Sequence, residues 1–395
     1  MKILILNSGS SSIKFQLMNM TLEQVICQGL VERIGSEGSE ISYKITSNNF
    51  NLKVDIPNHE IGLQKIAGLL LDKNNGVIAN VDEIDAVGHR VVHGGDSFSK
   101  TTLIDAEVKQ IIKDNFSLAP LHNPHNLLGI EIAESVFTSS KQIAVFDTAF
   151  HQTMPVKARK YAIPNKFYLE HKIQVYGFHG TSHKYVTEKT ILHLDKEDSK
   201  IISIHLGNGC SITAIKAGKS IDHSLGFAPS NGLVMGSRSG DIDHSIVFYL
   251  VNELGYTLDE VNDLLINESG MLGLTGYSDL RDIEAEALKG NRDCMLALDM
   301  NVYRIKKYIG AYAAALNGLD ALVFTAGIGE NSNYMRSKIC EEMEFLGISF
   351  DSAANNQKSK SLREINTANA KVKILVIPTN EELEIAKQAF QLLNK

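Results

Sequence analysis

Five side chains have the types and settings needed to bring an acid and a phosphate together: Arg90, Asp147, His179, Arg238 and Glu381. Arg90 stands at the end of "VGHRVVHGG", where Arg90 and Val92 share one face of a strand. A guanidinium beside an apolar side chain suits a small carboxylate with a short carbon tail, and equally a structural ion pair. Asp147 closes the apolar run of "VFDTAFH", a place for a metal or a reacting group, or for a helix N-cap. His179 lies in the Gly-flanked bend "YGFHGTSH", where it would be exposed, with Thr181 or Ser182 capping the next helix and His183 at the surface or behind it. Arg238 sits in the irregular stretch "GFAPSNGLVMGSRSGDID", a poor strut and a good clamp for phosphate, with Phe227 and Pro229 as apolar neighbours. In "PTNEELEIAKQAFQLLN", Thr379 and Glu382 are spaced for a capping box, which leaves Glu381 for a metal.

Three glycine-rich turns must position these groups. "ILILNSGSSSIKFQL", residues 3–17, reads as a strand, a polar turn and a strand with Ile13, Phe15 and Leu17 on one face. That differs from a P-loop, which needs GxxxxGK[ST] feeding a helix. "KIISIHLGNGCSITAIKAG", residues 200–218, repeats the pattern half a chain later, so two similar halves are expected. "ALVFTAGIGENS" puts a third such turn before an expected helix over 332–347, where backbone N–H groups favour an anion or a nucleotide edge. Other helices are expected at 61–72, at 258–267 with a Thr257/Glu260 capping box, and at 294–318, the last a core or dimer-interface helix. Strands alternating with helices make the chain α/β. Together these features describe phosphoryl transfer better than acyl transfer or redox chemistry.

The bulk properties set bounds. A chain of 395 residues implies two or more domains. A net charge of −7 gives no footing for nucleic acid or an anionic membrane, so a bound anion must be held by local groups. Four cysteines without CxxC spacing, no signal-like leader and no long apolar run point to a cytoplasmic protein.

The ordered set "NSGSSSIKF", "GHRVVHGG", "FDTAFH", "YGFHGTSH", "HLGNG", "GSRSGDID", "SDLRD", "FTAGIGENS" and "PTNEE" resembles the acetate kinase (acetokinase) family, from residue 3 to residue 382. The resemblance implies the fold of the sugar kinase and actin-like ATPase superfamily: two ribonuclease-H-like domains around a central cleft. The domains would be 1–147 plus 380–395, and 148–379, the second binding nucleotide and forming a homodimer. It implies transfer of the ATP γ-phosphoryl group to acetate, giving acetyl phosphate and ADP, with Mg²⁺ (or Mn²⁺) held by Asn7 and Glu381. Lys14, Ser10 and Ser12 would border the phosphates, with further nucleotide contacts from His205, Leu206, Gly207, Asn208, Gly209, Asp279, Leu280, Arg281, Gly327, Ile328, Gly329, Glu330 and Asn331. Arg90 would hold the acid's carboxylate, and Val92, Leu121, Phe178 and Pro229 its methyl group. Asp147 would be the catalytic aspartate, with His179 and Arg238 stabilising the transferring group.

This chain departs from the family at three places: His244 where Pro is usual, Tyr277 where Ser is usual, and "GFAPSN" for the commoner "GFTPLE". The last lies beside the expected acid pocket and bears on chain length, so propionate or another short-chain carboxylate is the alternative substrate. An actin-like nucleotide switch is the alternative of another class. Neither nucleic acid nor membrane is expected as a partner.

Overall fold

The computed structural model describes residues 1–46, 48–120 and 122–394. The chain forms two compact α/β units, Met1–Phe150 with Asn380–Lys395, and His151–Thr379.

The first unit is built on one sheet of order β5-β4-β3-β2-β1-β6-β8-β7. Its strands are β1 (Lys2–Ser8), β2 (Ser12–Asn19), β3 (Gln24–Glu32), β4 (Glu40–Ile45), β5 (Asn49–Lys53), β6 (Ala86–Val91), β7 (Thr102–Leu103) and β8 (Lys141–Phe146). β1 to β5 form an antiparallel meander, while β6 runs parallel to β1 and β8 parallel to β6. The continuous apolar run of β1 follows from burial on both faces. Leu4 and Leu6 pack with Leu63, Ile66 and Leu70 of the helix His59–Leu70, whereas Ile3 and Ile5 pack with Ile385, Ala386 and Ala389 of the helix Glu381–Leu393. Each leucine or isoleucine among them contributes about 1.5–3 kcal/mol when fully buried.

The second unit has the order β11-β10-β9-β12-β14-β13, from β9 (Lys200–Leu206), β10 (Cys210–Lys216), β11 (Lys219–His223), β12 (Ala321–Thr325), β13 (Arg363–Glu364) and β14 (Lys373–Val376). Again a three-strand antiparallel meander is extended from its first strand by two parallel strands, so β3-β2-β1-β6-β8 and β11-β10-β9-β12-β14 share one ribonuclease-H-like plan. The two glycine-rich turns seen in the sequence are the β1–β2 and β9–β10 connections, with closing pairs Ser8↔Ile13 and Leu206↔Cys210. The helix Arg292–Leu316 buries Leu298, Val302, Ile305, Ile309 and Leu316 and leaves Met295, Leu296, Met300 and Tyr303 exposed.

Leu258–Asn267 is helical with the Thr257/Glu260 capping box formed in both directions. Three expectations need correction. The helix expected over 332–347 is Asn333–Cys340; it stops where Glu341 turns extended and Glu342 takes a positive φ of 56°. "AGIGEN" is itself a short helix, Ala326–Asn331, rather than an open bend. At the C-terminal helix the cap is Asn380, accepting from Leu383 N at 3.0 Å, not Thr379. Thr379 is engaged elsewhere, its N–H donating to Glu330 and its hydroxyl paired with Ser182.

Candidate active site

In the first unit the parallel strand ends collect the charged groups. Arg90 donates through Nε and Nη2 to Asp147 Oδ2, at 2.9 and 2.5 Å, and its Nε lies 3.9 Å from Glu381. Asp147 is only 1% exposed and Arg90 only partly buried. Burial works against the Arg90 charge, but the neighbouring Asp147 and Glu381 carboxylates raise its pKa, so it stays a cation. Burial raises the Glu381 pKa; Arg90 and Lys14 oppose the shift, while Asp147 and Glu382 add to it. Lys14 pairs with Glu382 at 2.5 Å, and Asn7 stands opposite Lys14 in the β1–β2 ladder. Ser10 is exposed and Ser12 partly so, in the turn closed by Gly9 N–H donating to Ser12 O at 2.8 Å. Val92 is buried just past β6; Leu121 lies outside the described residues.

Two asparagines that the sequence reading passed over fix these strand ends. Asn126 donates to Ser8 O at 2.9 Å and accepts from Val92 N at 3.0 Å, tying β1 to the segment after β6. Asn123 accepts from His93 N and donates to His93 O. Their only signal was the polar cluster "NPHN" opening an apolar helix, Asn123–Val136. That helix comes so close that a Cβ on Gly129 would lie 2.7 Å from Ser8 Cβ. Gly129→Ala is therefore expected to destabilise the chain by about 1–3 kcal/mol, read as a lower urea midpoint at unchanged slope.

In the second unit, His179 is itself the N-cap of the helix Gly180–Leu194, in left-handed geometry (φ 55°, ψ 26°). Neither Thr181 nor Ser182 caps it; of the two places expected for His183, it takes the one behind His179, fully buried between Ser203 and Ser211. His179 Nδ1 pairs with Ser211 Oγ at 2.9 Å and its ring stacks on His205 at 4.4 Å. His205 is fixed in turn by Ser182. Arg238 donates to Pro229 O at 2.8 Å from a stretch without helix or strand. Burial lowers the Arg238 pKa, Cys210 only partly offsetting it, and no carboxylate pairs with it among the described residues. Gly209 lies beside both side chains: a Cβ there would lie 3.4 Å from His179 Nε2 and 4.0 Å from Arg238 Nη1. Phe178, expected at the acid pocket, is buried beside His179, and Pro229 is partly exposed.

Beside Gly209 opens a cavity of about 770 Å³, within the range of small-ligand sites. Gly207, Asn208, Asp279, Leu280, Arg281 and Gly327 line it, as do Ile328 and Asn331. Arg281 donates to the Asp279 carboxylate and holds its pKa down to about 2. Leu206 is buried in β9, outside the cavity wall. Gly329 and Glu330 support the wall rather than form it: their carbonyls accept from buried Arg336, and the Glu330 carboxylate accepts from Thr379 N–H. Met235, Met271 and Asn301 also line the cavity and had no legible signal, because they converge from three distant segments.

The acetokinase family profile matches residues 2–387. An acetate kinase of Flavobacterium johnsoniae is 65% identical over 393 residues, covering 100% of both chains. Among solved structures, Porphyromonas gingivalis acetate kinase superposes with a TM-score of 0.94 at 44% identity, covering 99% of each chain. A propionate kinase from Francisella tularensis gives 0.93 at 42% identity, covering 98% of each. The chain belongs to the acetokinase family.

Proposed function

We propose that the protein is an acetate kinase, transferring the γ-phosphoryl group of ATP to acetate by direct in-line displacement. The observation that carries this reading is the cavity walled by glycine-rich loops with His179 and Arg238 flanking Gly209 at its side. A carboxylic acid of pKa about 4 is already ionised at neutral pH, so the nucleophile needs no base. The barrier is the repulsion between that anion and a triphosphate, and fixed cations lower it. Arg90, oriented by Asp147, holds the acid, with Val92 beside its methyl group. Lys14 and the Ser10–Ser12 turn border the phosphates, while His179 and Arg238 neutralise charge on the transferring group. His205, the Gly207–Gly209 turn, the Asp279–Arg281 segment and the Gly327–Asn331 helix hold the nucleotide, with Leu206 packed behind the turn.

The family implies a divalent cation, and the donor set fits one. Asp147, Glu381 and Glu382 supply three carboxylates against the two cations Arg90 and Lys14, and the Asn7 amide adds a hard oxygen donor. Among the described residues no cluster of three His, Cys, Asp or Glu could hold a metal alone, which suits an ion completed by nucleotide phosphates. Asn7 and Glu381 would hold Mg²⁺, or Mn²⁺ in its place; the ion would neutralise phosphate charge.

Acid-dependent trapping of the acyl phosphate with hydroxylamine tests this reading. Acetate should give the highest kcat/KM, with propionate about tenfold lower, since one methylene is worth about 1–3 kcal/mol. A ranking led by propionate would support the second reading, which the likeness to a propionate kinase favours. A homodimer through the second unit is part of the proposal, supported by the exposed Ile246, Phe248, Tyr249 and Tyr303. A cytoplasmic setting is supported by four buried, unpaired cysteines; among the described residues no helix is long and apolar enough to cross a membrane.

A further inference from the structure

His179 belongs to a strained three-residue segment. Gly177 has φ 77°, and His179 has φ 55°, a conformation that costs a residue with a Cβ about 1–2 kcal/mol. Between them, both backbone groups of Phe178 are engaged by imidazoles. His151 Nε2 lies 2.9 Å from Phe178 O, and Phe178 N–H donates to His223 Nε2 at 3.1 Å. We propose that His151 and His223 are positioning residues, a pair of imidazoles that grips the Phe178 peptide and so aims His179.

The hydrogen bonds dictate opposite roles for the two Nε2 atoms. A carbonyl only accepts, so His151 carries a proton on Nε2, and its Nδ1 pairs with Ser220 Oγ at 2.9 Å. An amide N–H only donates, so His223 Nε2 is bare, and its Nδ1–H donates to Thr213 Oγ1 at 2.7 Å. The rings lie 4.1 Å apart, and His151 is 0% and His223 4% exposed. Burial, then the nearby histidines His151, His183, His179 and His205, pushes the His223 pKa well below its ordinary value, which keeps the accepting nitrogen bare. Space enforces the arrangement too: a Cβ on Gly177 would lie 2.7 Å from the His151 ring. Neither histidine need touch a reactant; each acts through the peptide that precedes His179.

This inference rests on the reading of His179 as partner of the transferring phosphoryl group, and its test separates the two. In the full-length enzyme, His223→Leu should lower kcat at least tenfold while KM for acetate and for ATP stays within about twofold. His223→Gln, whose Oε1 reaches the place of Nε2, should restore kcat to within about threefold of the parent. On a His179→Ala background, His223→Leu should cost nothing further, because the two substitutions remove one effect. The inference is overturned if His223→Leu keeps kcat within twofold, or if its loss repeats in full without His179. Undiminished turnover of His179→Ala alone would instead overturn the role given to His179. Should His223→Leu not fold, nitrogen NMR of the ¹⁵N-histidine-labelled parent still decides: His151 must appear as the Nε2–H tautomer and His223 as Nδ1–H, and any other pair ends the proposal.

Discussion

Arg238→Ala is expected to lower kcat about a thousandfold, with the thermal midpoint shifted by only a few degrees. In phosphoryl transfer an arginine on the transferring group is worth about 10³–10⁵ in rate. The molecule gives Arg238 little else to do. Its hydrogen bond to Pro229 O is worth about 1 kcal/mol of stability, so the substitution should leave a folded protein. Meanwhile a half-buried guanidinium with no carboxylate partner among the described residues carries a desolvation cost that a bound anion would offset. Arg238→Lys keeps the charge but not the planar fork, and should recover only part of the loss. Steady-state kinetics on acetate and ATP, beside a melting curve, would measure both quantities. Retention of more than a tenth of parental kcat by the alanine variant would remove Arg238 from the reaction.

What could be read from the sequence was local. The β1–β2 and β9–β10 hairpins declared themselves because apolar runs flank polar, glycine-rich turns. Their repetition half a chain apart foreshadowed the shared strand order of the two sheets. Leu258–Asn267 appeared as expected because its capping box is formed by neighbours in the chain. Several of the failures share one cause, competition from distant groups. Thr379 looked like a helix cap, but Ser182 and Glu330 take its hydroxyl and its N–H, and the cap passes to Asn380. The sequence left His183 either at the surface or behind His179, and only the fold decides, since two buried serines satisfy both its nitrogens. Asn123 and Asn126 hold strand ends some thirty or more residues away in sequence, and no periodicity announces such a bond. The candidate site is thus legible in its cations and glycines, and illegible in the uncharged groups that aim them.

Asp147→Asn should be the most damaging single change in the first unit, through orientation rather than proton transfer. The carboxylate is buried and receives two donors of the Arg90 fork on one oxygen. An asparagine of the same shape offers one acceptor and turns an NH₂ group toward a guanidinium that can only donate. Arg90 would keep the more distant Glu381, 3.9 Å away. Breaking a buried pair at one end costs about 3–5 kcal/mol, so a lower denaturation midpoint is expected. A misplacement of about 1 Å at the reacting groups costs about 100-fold, and kcat/KM for acetate should fall by at least that. The pH profile separates the two roles. If Asp147 removed a proton, its loss would abolish an acidic limb of the parent's profile. If it orients Arg90, the limbs remain and only the height falls, and Arg90→Ala combined with Asp147→Asn should cost little more than Arg90→Ala alone. Near-parental turnover of Asp147→Asn, with unchanged dependence on metal concentration, would show that the arginine finds its aim without the aspartate.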